Sequence, residues 1–185
     1  VMGFSSKGDL ESIQYFDGKG RKYFEEILSK GKLTKGIQYH LMGDPVVSAI
    51  SNTTIRALDL EGRVVLMQGE VQKGAREGKW EFYHANGEKE TTTTFEKGIV
   101  HGAQEFFHDN GNLYLSLMKQ NGKIHGQRRF ISFGKTRRID YFLEDEINGP
   151  VLSFGWDGGV SYESWQEGSV YVTPVKLRYP DGKLK

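Results

Sequence analysis

Apolar and aromatic residues come in short runs, each closed by a glycine, which is a pattern of many brief strands and tight turns. Ile13-Gln-Tyr-Phe-Asp-Gly18 and Ile55-Arg-Ala-Leu-Asp-Leu-Glu-Gly62 are of this kind, strand signals that end in a residue able to adopt positive φ. Between Gly74 and Gly126 the pattern is written twice in one register. Gly74-Ala-Arg-Glu-Gly78-Lys-Trp-Glu-Phe-Tyr-His-Ala-Asn-Gly87 is followed by Gly98-Ile-Val-His-Gly102-Ala-Gln-Glu-Phe-Phe-His-Asp-Asn-Gly111. Gly78, Gly102 and Gly126 stand 24 residues apart, as do Gly87 and Gly111. A fixed period of this length predicts a repeat array, each unit one piece of supersecondary structure.

Each unit reads as a first strand, a Gly-x-x-x-Gly turn, a second strand, and then Asn-Gly or Asp-Gly. Closing glycines fall at 62, 87, 111, 134, 158 and 182, spaced by 25, 24, 23, 24 and 24 residues. Asn86-Gly87, Asn110-Gly111, Asp157-Gly158 and Asp181-Gly182 are expected at hairpin tips of type I′, where both central residues need positive φ. Tyr39, Tyr83, Phe107, Phe130 and Phe154 each stand four positions before their closing glycine. They predict a ladder of rings supplying most of the burial, at roughly 1.5–3 kcal/mol for each fully buried ring. The expected fold is all-β: an elongated repeat array of antiparallel β-hairpins, about 24 residues per repeat, forming a twisted single-layer sheet.

Regularity divides the chain into three stretches of one continuous repeat domain. Residues 1–61 read as irregular hairpin repeats. Within them, Lys22-Tyr-Phe-Glu-Glu-Ile-Leu-Ser29 fits a strand, with a helix carrying Tyr23, Phe24, Ile27 and Leu28 on one face as the alternative. Gly43 to Gly62 spans only 19 residues, and Pro45 forbids a regular central strand there, so 44–54 is expected as a hairpin with altered loops. Residues 62–168 are the regular repeats. Residues 169–185 read as a terminal cap, because Pro174 and Pro180 remove ladder donors and blunt an exposed edge.

Gly98-x-x-His-Gly102-x-x-x-Phe-Phe-x-x-Asn-Gly111, with its copies at 74–87 and 122–134, resembles the MORN repeat in its bacterial variant form. The resemblance is clear over about 62–168 and rests on three consecutive copies in register. It implies β-hairpins side by side in a twisted sheet. It also implies a scaffold or protein-binding module, with an antitoxin component of a toxin–antitoxin pair as a special case.

Composition narrows the chemistry. Twenty-five basic and 24 acidic residues leave a net charge of +1, with no electrostatic reason to expect nucleic acid. The basic cluster Arg128, Arg129, Lys135, Arg137, Arg138 is short and is expected to be solvated strand faces. It is also the feature on which an alternative function rests, attachment to a membrane or polysaccharide surface. The absence of cysteine removes disulfides and thiolate chemistry. The chain begins at Val1, which leaves its compartment open between cytoplasm and export with a trimmed targeting segment.

Repeat arithmetic bears on catalysis. His84 and His108 hold one repeat position and His101 and His125 another; Glu81 and Glu105 are likewise equivalents. A catalytic group is singular, because its pKa and partners are set at one site, so recurring residues read as structural elements. There is no phosphate-binding glycine loop, calcium loop or Gly-x-Ser-x-Gly elbow. The expectation is a non-enzymatic protein without metal or cofactor. A single sheet layer has no second sheet to cover both its faces, so aromatic surface is left for another protein. Trp80, Phe82, Phe106 and Trp156 are the expected contacts, on the face opposite the ring ladder.

Overall fold

The computed structural model describes residues 1–5, 7–178 and 183–184. All its regular structure is β, in antiparallel hairpins, and the chain divides into two compact units, Val1–Ile99 and Val100–Lys185.

In the first unit, β1 (Met2–Phe4), β2 (Leu10–Phe16), β3 (Lys22–Ser29), β4 (Lys32–Gln38) and β5 (Val46–Ala49) form a five-stranded sheet in chain order. The stretch 22–29 is thus strand: Ile27 and Leu28 lie in a ladder with β4 instead of on a helix face. The next four strands, β6 (Thr53–Leu58), β7 (Val65–Gln72), β8 (Ala75–Tyr83) and β9 (Lys89–Glu96), pair in chain order in a second sheet. The sheet changes at 50–52, inside the stretch 1–61. Residues 44–54 are therefore not a hairpin: β5 pairs with β4, β6 pairs with β7, and the chain crosses between sheets. Pro45 stands just before β5, whose outer edge is open, where a missing N–H breaks no ladder bond.

The second unit carries β10 (Ile99–Phe107), β11 (Leu113–Gln120), β12 (Lys123–Ser132), β13 (Lys135–Leu143), β14 (Glu146–Phe154) and β15 (Val160–Glu167). Two-residue strands β16 (Val170–Tyr171) and β17 (Lys176–Leu177) share the outer edge of β15 on either side of Pro174, so the sheet ends on a broken edge. Asp181-Gly182 and Pro180 lie outside the described residues.

The glycines of the repeat do three different jobs. Two-residue turns with positive φ at both positions are at Lys30-Gly31, Lys73-Gly74, Lys97-Gly98, Asn121-Gly122, Phe133-Gly134 and Glu144-Asp145. These are the type I′ turns. Asn86-Gly87 and Asn110-Gly111 are tips of another kind, since only the glycine has positive φ. His84 N–H donates to the Glu88 carbonyl at 2.8 Å, and Gly87 N–H donates to the His84 carbonyl at 2.9 Å. The Asn86 side-chain oxygen accepts from Glu88 N–H at 3.0 Å. This is a type I turn followed by a left-handed glycine, in which asparagine is selected for its side-chain acceptor rather than for its own φ. The loops at 108–112 and 155–159 repeat it, with Asn110 and Asp157 as acceptors.

The second glycine of Gly-x-x-x-Gly is in a bulge, not a turn. Between the pairs Gln68↔Glu81 and Glu70↔Glu77, three residues of β8 oppose Gly69 alone. The same three-against-one arrangement recurs at Met118 and at Tyr141. Each bulge bends its strand and raises the local twist.

The hairpins are also laced by backbone. Gly98 N–H donates to the Arg76 carbonyl at 2.9 Å in the first unit. In the second, Gly122 N–H reaches Val100, Asp145 N–H reaches Ile124 and Gly168 N–H reaches Ile147, at 2.7–2.9 Å.

Burial concentrates in the first unit, where the five-stranded sheet lies over one face of β6–β9. Phe24, Leu33 and Ile50 meet Ile55, Ala57, Met67, Val71 and Trp80 in one core. The Trp80 ring rests on Gly69, where an added Cβ would come within 2.2 Å of it, and its indole N–H donates to the Glu70 carbonyl at 3.0 Å. Twenty-four and 48 residues on, the Trp80 position is held by Gln104 and Arg128, both half-buried. The five ladder residues Tyr39, Tyr83, Phe107, Phe130 and Phe154 are half-buried as well, so most of the burial comes from other side chains.

Candidate interaction site

Trp80 is removed from any contact surface: it is fully buried under the chain's own first sheet. In the first unit, the cover expected from a partner is supplied by residues 1–50. Phe82 is half-buried against the same core, 6.3 Å from the Trp80 ring. Phe106 is half-buried beside Tyr114, also at 6.3 Å. Of the four expected contacts only Trp156 is open to solvent, at 70% exposure.

Trp156 has a neighbour that the sequence reading passes over. Phe133, at 86% exposure, sets its ring 5.8 Å from that of Trp156 at an interplanar angle of 49°. Both residues are in connections at one end of the sheet, Phe133 between β12 and β13 and Trp156 between β14 and β15. The Arg137 guanidinium lies 3.9 Å from the centre of the Trp156 ring and donates to the Gly155 carbonyl at 2.8 Å. Lys135 Nζ lies 3.4 Å from the Trp156 carbonyl. The cation supports one face of the indole and fixes its loop, leaving a tilted pair of rings turned to water.

Phe133 is where the repeat rule breaks. Its position before the closing glycine is Asn or Asp in the units around it. Its backbone is the first position of a type I′ turn at φ 52°, which elsewhere carries Lys30, Lys73, Lys97, Asn121 or Glu144. A bulky side chain at positive φ costs about 1–2 kcal/mol relative to glycine, and exposing a ring forgoes the gain of burying it. Neither choice contributes to the stability of the fold.

The basic cluster is mostly engaged. Arg128 and Arg138 both bond the fully buried Asp140 carboxylate, and the Arg128 guanidinium also lies 4.4 Å from the Phe142 ring. Arg137 serves Trp156 as described. Arg129 and Lys135 remain outward.

One further polar constellation is singular and lies inside the first unit. Glu26, fully buried, accepts from Arg76 at 2.7 Å and from the Tyr15 hydroxyl at 2.9 Å, and the Arg76 guanidinium lies 4.4 Å from the Trp80 ring. Burial and the adjacent Glu26 carboxylate push the Tyr15 phenol well above its ordinary range, so it is held neutral. Glu26, Arg76 and Tyr15 tie the first sheet to β8 within the core rather than facing a cleft. Two carboxylates are held low. Burial opposes the charge on Glu25, but hydrogen bonds from Gln14, Lys22 and Tyr39 bring it to about 2. A hydrogen bond from Gln68 leads in bringing Glu81, also buried in part, to about 2, helped by Tyr83 and Lys89. Among the described residues no three of His, Asp and Glu are grouped as metal ligands.

No family model matches the chain, and no curated protein matches it.

Proposed function

We propose that this protein is a non-enzymatic β-hairpin repeat scaffold of the MORN type, and that it captures another protein through Phe133 and Trp156. The observation that carries the reading is Phe133, a large exposed ring at a left-handed turn position that polar residues hold in the other hairpins. Exposed aromatic side chains braced by arginine are the usual anchors of protein interfaces, where they become buried on association. An antitoxin-like role is the special case that the repeat resemblance implies, and a toxin gene beside this one would single it out.

The test is affinity purification from the native source with the wild-type chain and with a Phe133→Asn/Trp156→Ala variant. The reading expects a protein retained by the first and lost by the second, while both unfold at similar temperatures. Equal recovery by both would remove these residues from the interface. Flotation with anionic vesicles at low and moderate salt separates this reading from surface attachment, which weakens as salt screens it.

A further inference from the structure

The two sheets of the first unit leave a gap between their open edges. The outer edge of β5 and the outer edge of β6 both border a cavity of about 440 Å³, lined by Phe24, Ile50 and Ile55 within and by Gln38, Ser48 and Arg56 around its mouth. Gly36 keeps the floor low, since a Cβ there would come within 2.8 Å of the Phe24 ring.

One end of the gap already shows how the β6 edge is paired. The Gln38 side-chain amide donates to the Leu58 carbonyl at 2.9 Å, and its oxygen accepts from Leu58 N–H at 2.9 Å. These are the two bonds that one residue of an added antiparallel strand would exchange with Leu58. Outward-facing backbone groups recur at every second residue of a strand, so Arg56 and Thr54 present the next N–H and C=O pairs along the same edge. No described group bonds them there. The other edge is less open to a guest, because β5 is only four residues long and Pro45 precedes it.

We propose that the β6 edge takes up an extended peptide as an added strand, continuing the line that the Gln38 amide begins. Alternate side chains of the guest enter the apolar cavity, and this calls for valine-sized residues at every second position. The residues between them lie on the outer face beside Arg56. The lining carries Arg56 and His40 and no carboxylate, so an acidic guest is favoured over a basic one. The site is independent of the Phe133–Trp156 reading, and either can fail without the other.

The probe is acetyl-Val-Glu-Val-Glu-Val-amide, titrated into the full chain labelled with nitrogen-15. Expected are amide shifts confined to the cavity lining, at 24, 36–40 and 46–58, and to the β7 residues 65–71 paired with it, slowed exchange of the Arg56 and Thr54 N–H groups, and about tenfold weaker binding of the peptide with Lys in place of Glu. Methylating alternate backbone nitrogens of the peptide abolishes binding without touching the protein. Arg56→Pro does so from the other side, since the donor it removes belongs to no ladder bond. Shifts confined to residues outside this set, no shift at millimolar peptide, or equal binding of the N-methylated peptide would overturn the proposal and leave Arg56 as a charge that guards an exposed edge.

Discussion

Phe133 is a residue whose placement costs the fold stability. Its φ of 52° and its exposed ring both disfavour the folded chain, so Phe133→Asn is expected to leave stability unchanged or raise it by about 1 kcal/mol. Urea denaturation measures this, and a loss of stability would mean that the ring is a packing residue. The signal was present in the sequence as a phenylalanine where Glu, Asn or Asp precedes the other closing glycines from Gly62 on, with a 23-residue interval beside it. It is easily overlooked when a repeat is read for what recurs. Trp80 erred in the opposite direction: periodicity placed it on a sheet face, but only the folding of residues 1–50 over that face decides that it is core. Gly69 carries the same information, because a glycine inside a strand admits close approach of another group. Gly69→Ala is expected to cost about 2–3 kcal/mol by forcing the Trp80 ring aside, which the same denaturation assay reports.

At the level of elements, strands were legible and connections less so. Alternation and glycine spacing located the regular hairpins, because each strand buries one face and each turn needs a residue at positive φ. The type of turn was not legible from Asn-Gly, since the dipeptide serves type I′ turns and type I turns with a left-handed glycine equally well. Here the five-residue loops use the asparagine as an acceptor. Asn110→Ala is therefore expected to lower stability by about 1 kcal/mol through loss of the bond from Asn112 N–H, whereas Asn121→Lys should be neutral, as Lys73 and Lys97 hold the same conformation. Equal effects at both positions would count against two classes of turn. The bulges at the second glycine were hidden for a related reason: a glycine at positive φ looks the same in sequence whether it turns a chain or bends a strand.

For the molecule as a whole, the unexpected element is the five-stranded sheet over the array in the first unit. Its strands follow the same hairpin pattern as the rest, and nothing local to 50–52 announces that the chain leaves one sheet for another; the decision is tertiary. The seam is held by the Phe24–Trp80 core and by Glu26, Arg76 and Tyr15. Acid should weaken the first unit. Glu25 and Glu81 both have values near 2 in the fold against an ordinary 4.5, so their stabilisation is complete above about pH 4.5 and is lost as pH falls toward 2. A melting temperature that declines across that window, and declines less steeply in Glu25→Gln/Glu81→Gln, is the expected result.

The claim that function resides where the repeat is broken has a direct measurement. A photo-crosslinking amino acid is placed at Phe133 and, in a separate chain, at Lys97, an exposed turn position with nearly the same φ of 51°, and each is irradiated in cells of the native source. The account predicts one dominant protein adduct at 133 that disappears with Trp156→Ala, and none at 97. The same adducts at both positions, or none at 133, would contradict it.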